Sequence, residues 1–79
     1  MKIRINIQLK PSILDPQGQA VASSLGEQGF ENIKNVRQGK ILDIEFNSKE
    51  IDMNKINEMC KNFLTNPLVE DYNIEELNI

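Results

Sequence analysis

Few residues in this chain could do chemistry, and each has a competing structural role. Cys60 is the only thiol and histidine is absent, so no imidazole is available to activate it as a nucleophile. It falls in an apolar stripe with Met53, Ile56, Phe63 and Leu64 at three- and four-residue steps, which reads as a packed core position. Glu70 and Asp71 are adjacent, so on a strand they point to opposite faces and make no carboxylate pair. A lone cysteine without histidine cannot build a zinc site. The sequence therefore predicts no catalytic residue and no metal ligand.

Binding is the remaining possibility, and two short motifs bear on it. In "ILDPQGQAV", Ile13 to Val21, Asp15 is placed as a helix N-cap and Pro16 at the first helical position. Gln17 and then Gly18 follow inside the first turn, where glycine costs ~1 kcal/mol against alanine. Free N–H groups at a helix start attract phosphate, but there is no GxGxxG pattern and no Walker lysine, and Asp15 would repel an anion. Close approach of another backbone, which a missing Cβ permits, is the favoured use of Gly18. In "RQGK", Arg37 and Lys40 flank Gly39 on an expected turn, where they are either solvated or dock an acidic partner or an anionic ligand. Tyr72, between acids, is either a core-edge residue or an interface anchor.

The elements that would carry these residues follow from periodicity. "KIRINIQLK" alternates Ile3, Ile5, Ile7 and Leu9 with Lys2, Arg4, Asn6, Gln8 and Lys10, a half-buried strand that Pro11 ends. A helix from Asp15 to about Gln28 buries Val21 and Leu25, with Ala20 and Ala22 beside them; Gly26 weakens it and Gly29 stops it as a left-handed residue. "NIKNVRQGKILDIEF" reads as a hairpin with Ile33 and Val36 in one arm, Leu42, Ile44 and Phe46 in the other, and Arg37 to Lys40 as the turn. A second helix runs from Asp52, its N-cap, to Leu64. Thr65, Asn66 and Pro67 break it, and "LVEDYNIEEL" supplies a last strand with Tyr72 and Ile74 on one face. The order β-α-β-β-α-β predicts an α+β, ferredoxin-like sandwich, with two helices on one face of an antiparallel sheet. The last strand would lie beside the first, or exchange between subunits. The uncovered face would carry Arg4, Asn6, Gln8, Asp43 and Glu45.

Bulk properties bound the rest. The 79 residues read as one domain, which buries only about 60% of the surface its unfolded chain exposes. With no disulfide or metal to supplement the core, oligomerisation is the expected supplement. The net charge of −3 and the absence of tryptophan argue against nucleic-acid binding. No apolar run approaches a membrane span, the N-terminus lacks a signal-like apolar region, and a free thiol fits the cytoplasm. Lys2, Arg4, Lys10, Lys34, Arg37 and Lys40 outnumber the acids of the first half, whereas acids dominate the second half. Such faces are either solvated or pair within the fold or between subunits.

Three blocks, "LKPSILDPQGQAV", "GFENIKNVRQGKILDIEF" and "MCKNFLTNPLVEDYNIE", together resemble the PurS family over nearly the whole chain. The departures are conservative: Ser12 and Ile13 where glycine and valine are usual, and Asn35 before Val36. The resemblance implies a non-catalytic small subunit of phosphoribosylformylglycinamidine synthase in de novo purine synthesis. It implies a homodimer or tetramer standing between a PurL-like synthetase and a PurQ-like glutaminase, assisting assembly and ammonia transfer. It also implies that the subunit binds no cofactor while the complex uses ATP, Mg²⁺ and glutamine. The expected partner or subunit contacts are Lys10, Pro11, Asp15, Pro16, Gln17, Gly18, Arg37, Gly39, Lys40, Asn66, Pro67, Glu70, Asp71 and Tyr72. The alternatives are a ferredoxin-like regulatory module binding a small ligand at a dimer interface near "ILDPQGQ", and a purely structural dimer.

Overall fold

The computed structural model describes residues 1–77. Strand β1 (Lys2–Leu9) is followed by helix α1 (Pro16–Glu27), strand β2 (Gly39–Glu45), helix α2 (Met53–Met59) with a π-helical continuation (Cys60–Leu64), and strand β3 (Glu70–Leu77). The sheet order is β2-β1-β3, with both neighbours antiparallel to β1. The fold class is α+β, ferredoxin-like, and the last strand lies beside the first. The alternation in β1 explains its central place. Ile3, Ile5 and Ile7 are fully buried against Ile56 and Cys60, while Leu42, Ile44, Tyr72 and Ile74 of the flanking strands pack around them.

One expected strand does not form. Residues 30–38 have no regular structure, so Ile33 and Val36 belong to no hairpin arm and Arg37 to Lys40 is not a hairpin turn. Asn32 takes a left-handed conformation (φ 66°), which asparagine tolerates and which interrupts an extended run just before Ile33. Gly39, placed in the expected turn, already lies in β2 opposite Gln8; Gly29 is the glycine with positive φ among the described residues. Because β1 is paired on both sides, an arm from residues 30–38 could join the sheet only at an outer edge.

Both helix starts follow the capping rules. Asp15 and Asp52 cap α1 and α2, and Pro16 opens α1. At the α1 end the Gly29 N–H donates to the Gly26 carbonyl and the Phe30 N–H to the Leu25 carbonyl, both 3.1 Å; this is a Schellman closure around left-handed Gly29. Yet among the described residues α1 contributes none to the core, and no strand or helix packs extensively on it. Among the described residues the sheet is covered by α2 and its π-helical continuation, with Ile51 beside them. The molecule accordingly measures 48 × 30 × 14 Å with a radius of gyration of 16.0 Å, against about 12 Å for a compact chain of this length.

The second helix departs from its expected course at Cys60. The Thr65 N–H and hydroxyl both donate to the Cys60 carbonyl, at 3.0 and 2.8 Å, closing a wide π turn. The wider turn changes which side chains face the sheet. Ile56 and Cys60 stay buried and Leu64 is half-buried, but Phe63, expected in the apolar stripe, is 81% exposed.

Candidate functional site

Most residues singled out in the sequence meet at one end of the sheet, where β1 finishes and β2 and β3 begin. There Gln8 faces Gly39 on one side and Asp71 on the other, and Leu9 faces Glu70. Lys10 Nζ reaches Asp71 Oδ1 at 2.8 Å, and Lys40 Nζ lies 3.8 Å from Glu70 Oε2. Glu70 and Asp71 therefore point to opposite faces, each to its own lysine. Glu70 Oε1 also accepts from the Asn66 N–H (2.7 Å), while Asn66 Oδ1 accepts from the Leu68 N–H (3.1 Å). These bonds hold the turn containing Pro67. The Tyr72 hydroxyl donates to Asn57 Oδ1 at 3.1 Å, which fixes Tyr72 against α2 at the core edge.

Behind this end, three chain segments are tied together. Asp15 is 3% exposed. Its Oδ1 accepts from the Gly18 N–H at 2.9 Å and its Oδ2 from the Gln38 N–H at 2.7 Å. Those two backbone donors, Gln38 foremost, hold the carboxyl below the usual carboxylate range. Arg37 does not project into solvent as its turn position implied. Its guanidinium donates to the carbonyls of Ile13 (3.0 Å), Leu9 (3.2 Å) and Lys10 (2.9 Å). A Cβ on Gly18 would collide with the Val36 carbonyl oxygen. The close approach of another backbone expected at Gly18 is thus made by the chain's own Val36.

The exposed remainder forms shallow surfaces of mixed polar and apolar character. Gln17, Gln38, Gly39, Lys40 and Glu70 border a concavity of about 290 Å³. Pro11 lies beside Arg37, Asn35 and Asp71 on another. Pro16 stands exposed at the helix start. On the uncovered sheet face Arg4 makes a two-bond pair with Asp43 (2.8 and 3.1 Å), Asn6 bonds Asn73 (2.7 Å) and Lys2 lies 3.8 Å from Glu45. The Arg4 pairing lowers the Asp43 pKa and raises that of Arg4. Burial pushes the Cys60 thiol up and keeps it protonated. Among the described residues no group of Cys, Asp and Glu is arranged to hold a metal, and no helix is long and apolar enough to cross a membrane. The arrangement suits docking of a protein surface of mixed character.

Sequence reasoning missed Asn57, Gln38 and Val36, which act through a side-chain amide, a backbone N–H and a carbonyl. No residue-type signal marks the last two, because any residue supplies those groups. It also missed the exposure of Leu68 (82%), which sits in the Asn66 turn.

Comparison with known proteins places the chain among close relatives. The family model "PurS: Phosphoribosylformylglycinamidine (FGAM) synthase" matches residues 2–78. The chain is 35% identical over 75 residues to the synthase subunit PurS of Bacillus subtilis, covering 94% of this chain and 89% of the relative. It is 37% identical over 76 residues to that of Methanocaldococcus jannaschii, covering 94% and 92%. The B. subtilis PurS structure superposes with a TM-score of 0.83 at 35% identity, covering 94% of both chains. A chain in the structure of PurLQS from Thermotoga maritima superposes with a TM-score of 0.77 at 33% identity, covering 96% of this chain and 95% of the other.

Proposed function

The chain belongs to the PurS family of phosphoribosylformylglycinamidine synthase subunits, and from that premise we propose that it is the subunit that bridges a PurL-like synthetase and a PurQ-like glutaminase. In this reading the synthetase performs the ATP- and Mg²⁺-dependent amidation, the glutaminase releases ammonia from glutamine, and this cytoplasmic subunit binds no cofactor. The observation that carries the proposal is the likeness to a chain of the three-component PurLQS structure. The buried thiol and paired carboxylates support it, since they leave the chemistry to partners. Ammonia must travel as neutral NH₃, out of bulk water, and a subunit of this size supplies a wall of such a route.

The partner contacts proposed for this chain lie on the exposed part of the sheet end: Lys10, Pro11, Pro16, Gln17, Gly39, Lys40, Asn66, Pro67, Glu70 and Asp71. A second copy of the chain is also proposed. Helix α1 leaves Val21 40% exposed, with Ala22 and Leu25 beside it on the same side of the helix, and β2 pairs on one edge only. Both features are unfinished within one chain and are completed by another.

The test is reconstitution. Glutamine-dependent synthesis with PurL- and PurQ-type subunits should require this chain, while synthesis driven by free ammonium salt should proceed with the synthetase lacking it. Equal glutamine-dependent rates with and without the chain would reject the bridging role. Saturable binding of a free amino acid or nucleotide to the chain alone would favour the ligand-binding module instead.

A further inference from the structure

The hydrogen bonds around Asp15 and Arg37 raise a question that subunit bridging does not answer. Helix α1 has no extensive packing partner, yet it leaves the sheet in one direction. Its first turn is held most closely: among the described residues Gly18 is the buried residue of α1, while Ala22 and Leu25 further along are half-buried and Val21 is exposed. At that point Asp15 joins the α1 start to the residue preceding β2, through Gly18 and Gln38. Arg37 joins the same residues to the end of β1 and the β1–α1 loop, through the carbonyls of Leu9, Lys10 and Ile13. The Val36 carbonyl closes over Gly18. A carboxylate has two acceptor oxygens and a guanidinium a rigid planar fork of donors, so the pair fixes orientation as well as distance.

We propose that Asp15 and Arg37 form a positioning knot that sets the angle at which α1 leaves the sheet, presenting its Val21–Leu25 face already aimed at a second copy of the chain. The proposal rests on the reading that a second copy covers α1. A helix held at one end by charge-assisted bonds is preorganised for docking, and this removes part of the ordering cost of association. The knot residues themselves touch no partner; they act through α1. The arrangement also gives the DPQG run a purpose. Asp15 caps and ties, Pro16 fixes the first helical φ, and Gly18 lets the Val36 carbonyl seat.

The test measures the direction of α1 in the full chain. Spin labels at Ser24→Cys on α1 and Glu45→Cys on β2 occupy exposed positions, while native Cys60 is buried and escapes labelling. The labelled chain is read below the concentration at which light scattering detects association, so that only distances within one chain are measured and no second copy holds α1. The parent should give one narrow distance distribution. Asp15→Asn, which offers one acceptor oxygen to two N–H donors, and Arg37→Met should each broaden it severalfold. Hydrogen exchange across residues 16–27 should rise about tenfold or more, while β1 keeps its parental protection. Arg37→Lys, which keeps the charge but not the fork, should broaden the distribution nearly as much, a result that loss of charge alone would not produce. An unchanged distance width in Arg37→Met with an intact sheet would overturn the proposal. Failure of the parent chain to dimerise in light scattering would reject the second-copy reading, and the purpose of the knot with it.

Discussion

Asp15 shows how a single side chain can be legible from one side and hidden from the other. Its N-cap role follows from the residue types around it, and the bond to Gly18 is the local consequence. The second oxygen bonds Gln38, a contact that no local pattern encodes because any residue carries a backbone N–H. Gly18 is similar. Its cost in a helix signals a close approach, but only the fold reveals that Val36 of the same chain supplies it. Gly18→Ala should therefore destabilise the chain by about 1–3 kcal/mol despite alanine's better helix propensity, read as a lower midpoint in urea. Acid should act through the same residues. Asp15 and Asp43 have pKa values below their ordinary value, so their contribution is complete above about pH 4 and is lost as pH falls through the lowered values. Melting temperature should drop on the acid limb, and Asp15→Asn should flatten that drop. An acid limb identical in the variant would remove Asp15 from this role.

At the scale of elements, alternation made β1 readable, and β3 was found from its Tyr72–Ile74 pattern and the Asn66–Pro67 break. The expected arm at Ile33 and Val36 does not form: Asn32 takes a left-handed conformation just before Ile33 and interrupts the extended run. Within one chain, the outer edge of β2, where that arm would pair, stays open. The expected stripe of the second helix holds at Ile56 and Cys60, whereas Met53 before them is exposed and the register changes in the π turn closed by the two Thr65 bonds to the Cys60 carbonyl. No apolar period announces such a turn. The contrast is measurable. Ile56→Ala should cost about 2–5 kcal/mol, because it empties a buried core site. Phe63→Ala should change stability by less than about 0.5 kcal/mol, although both residues belong to the same apparent stripe. A comparable loss from both would mean that the stripe continues unbroken against the sheet.

At the scale of the molecule, the sheet-end cluster was partly legible. The sequence brought Lys10, Lys40, Glu70 and Asp71 into consideration by charge and by expected strand neighbours, and the antiparallel register of β1 with β2 and β3 then joined them. The solvated alternative for Arg37 does not hold, because a cation near an expected glycine turn looks solvated until the carbonyls around it are known. The elongated shape has a direct physical meaning. A thin sheet covered by α2 and its π-helical continuation, with α1 standing off the core, leaves apolar surface that a second copy would bury. Val21→Glu with Leu25→Glu should therefore lower the oligomeric mass of the chain while leaving its circular dichroism intact. An unchanged mass would place the subunit contact elsewhere.

The central claim is that the chain works by joining two other subunits. It is tested most directly by light scattering of the chain mixed with PurL- and PurQ-type subunits in the presence of glutamine and Mg²⁺-ADP. The account predicts a particle containing all three, and its dispersal into separate synthetase and glutaminase peaks when this chain is left out. A synthetase–glutaminase particle of the same composition formed without the chain would contradict it.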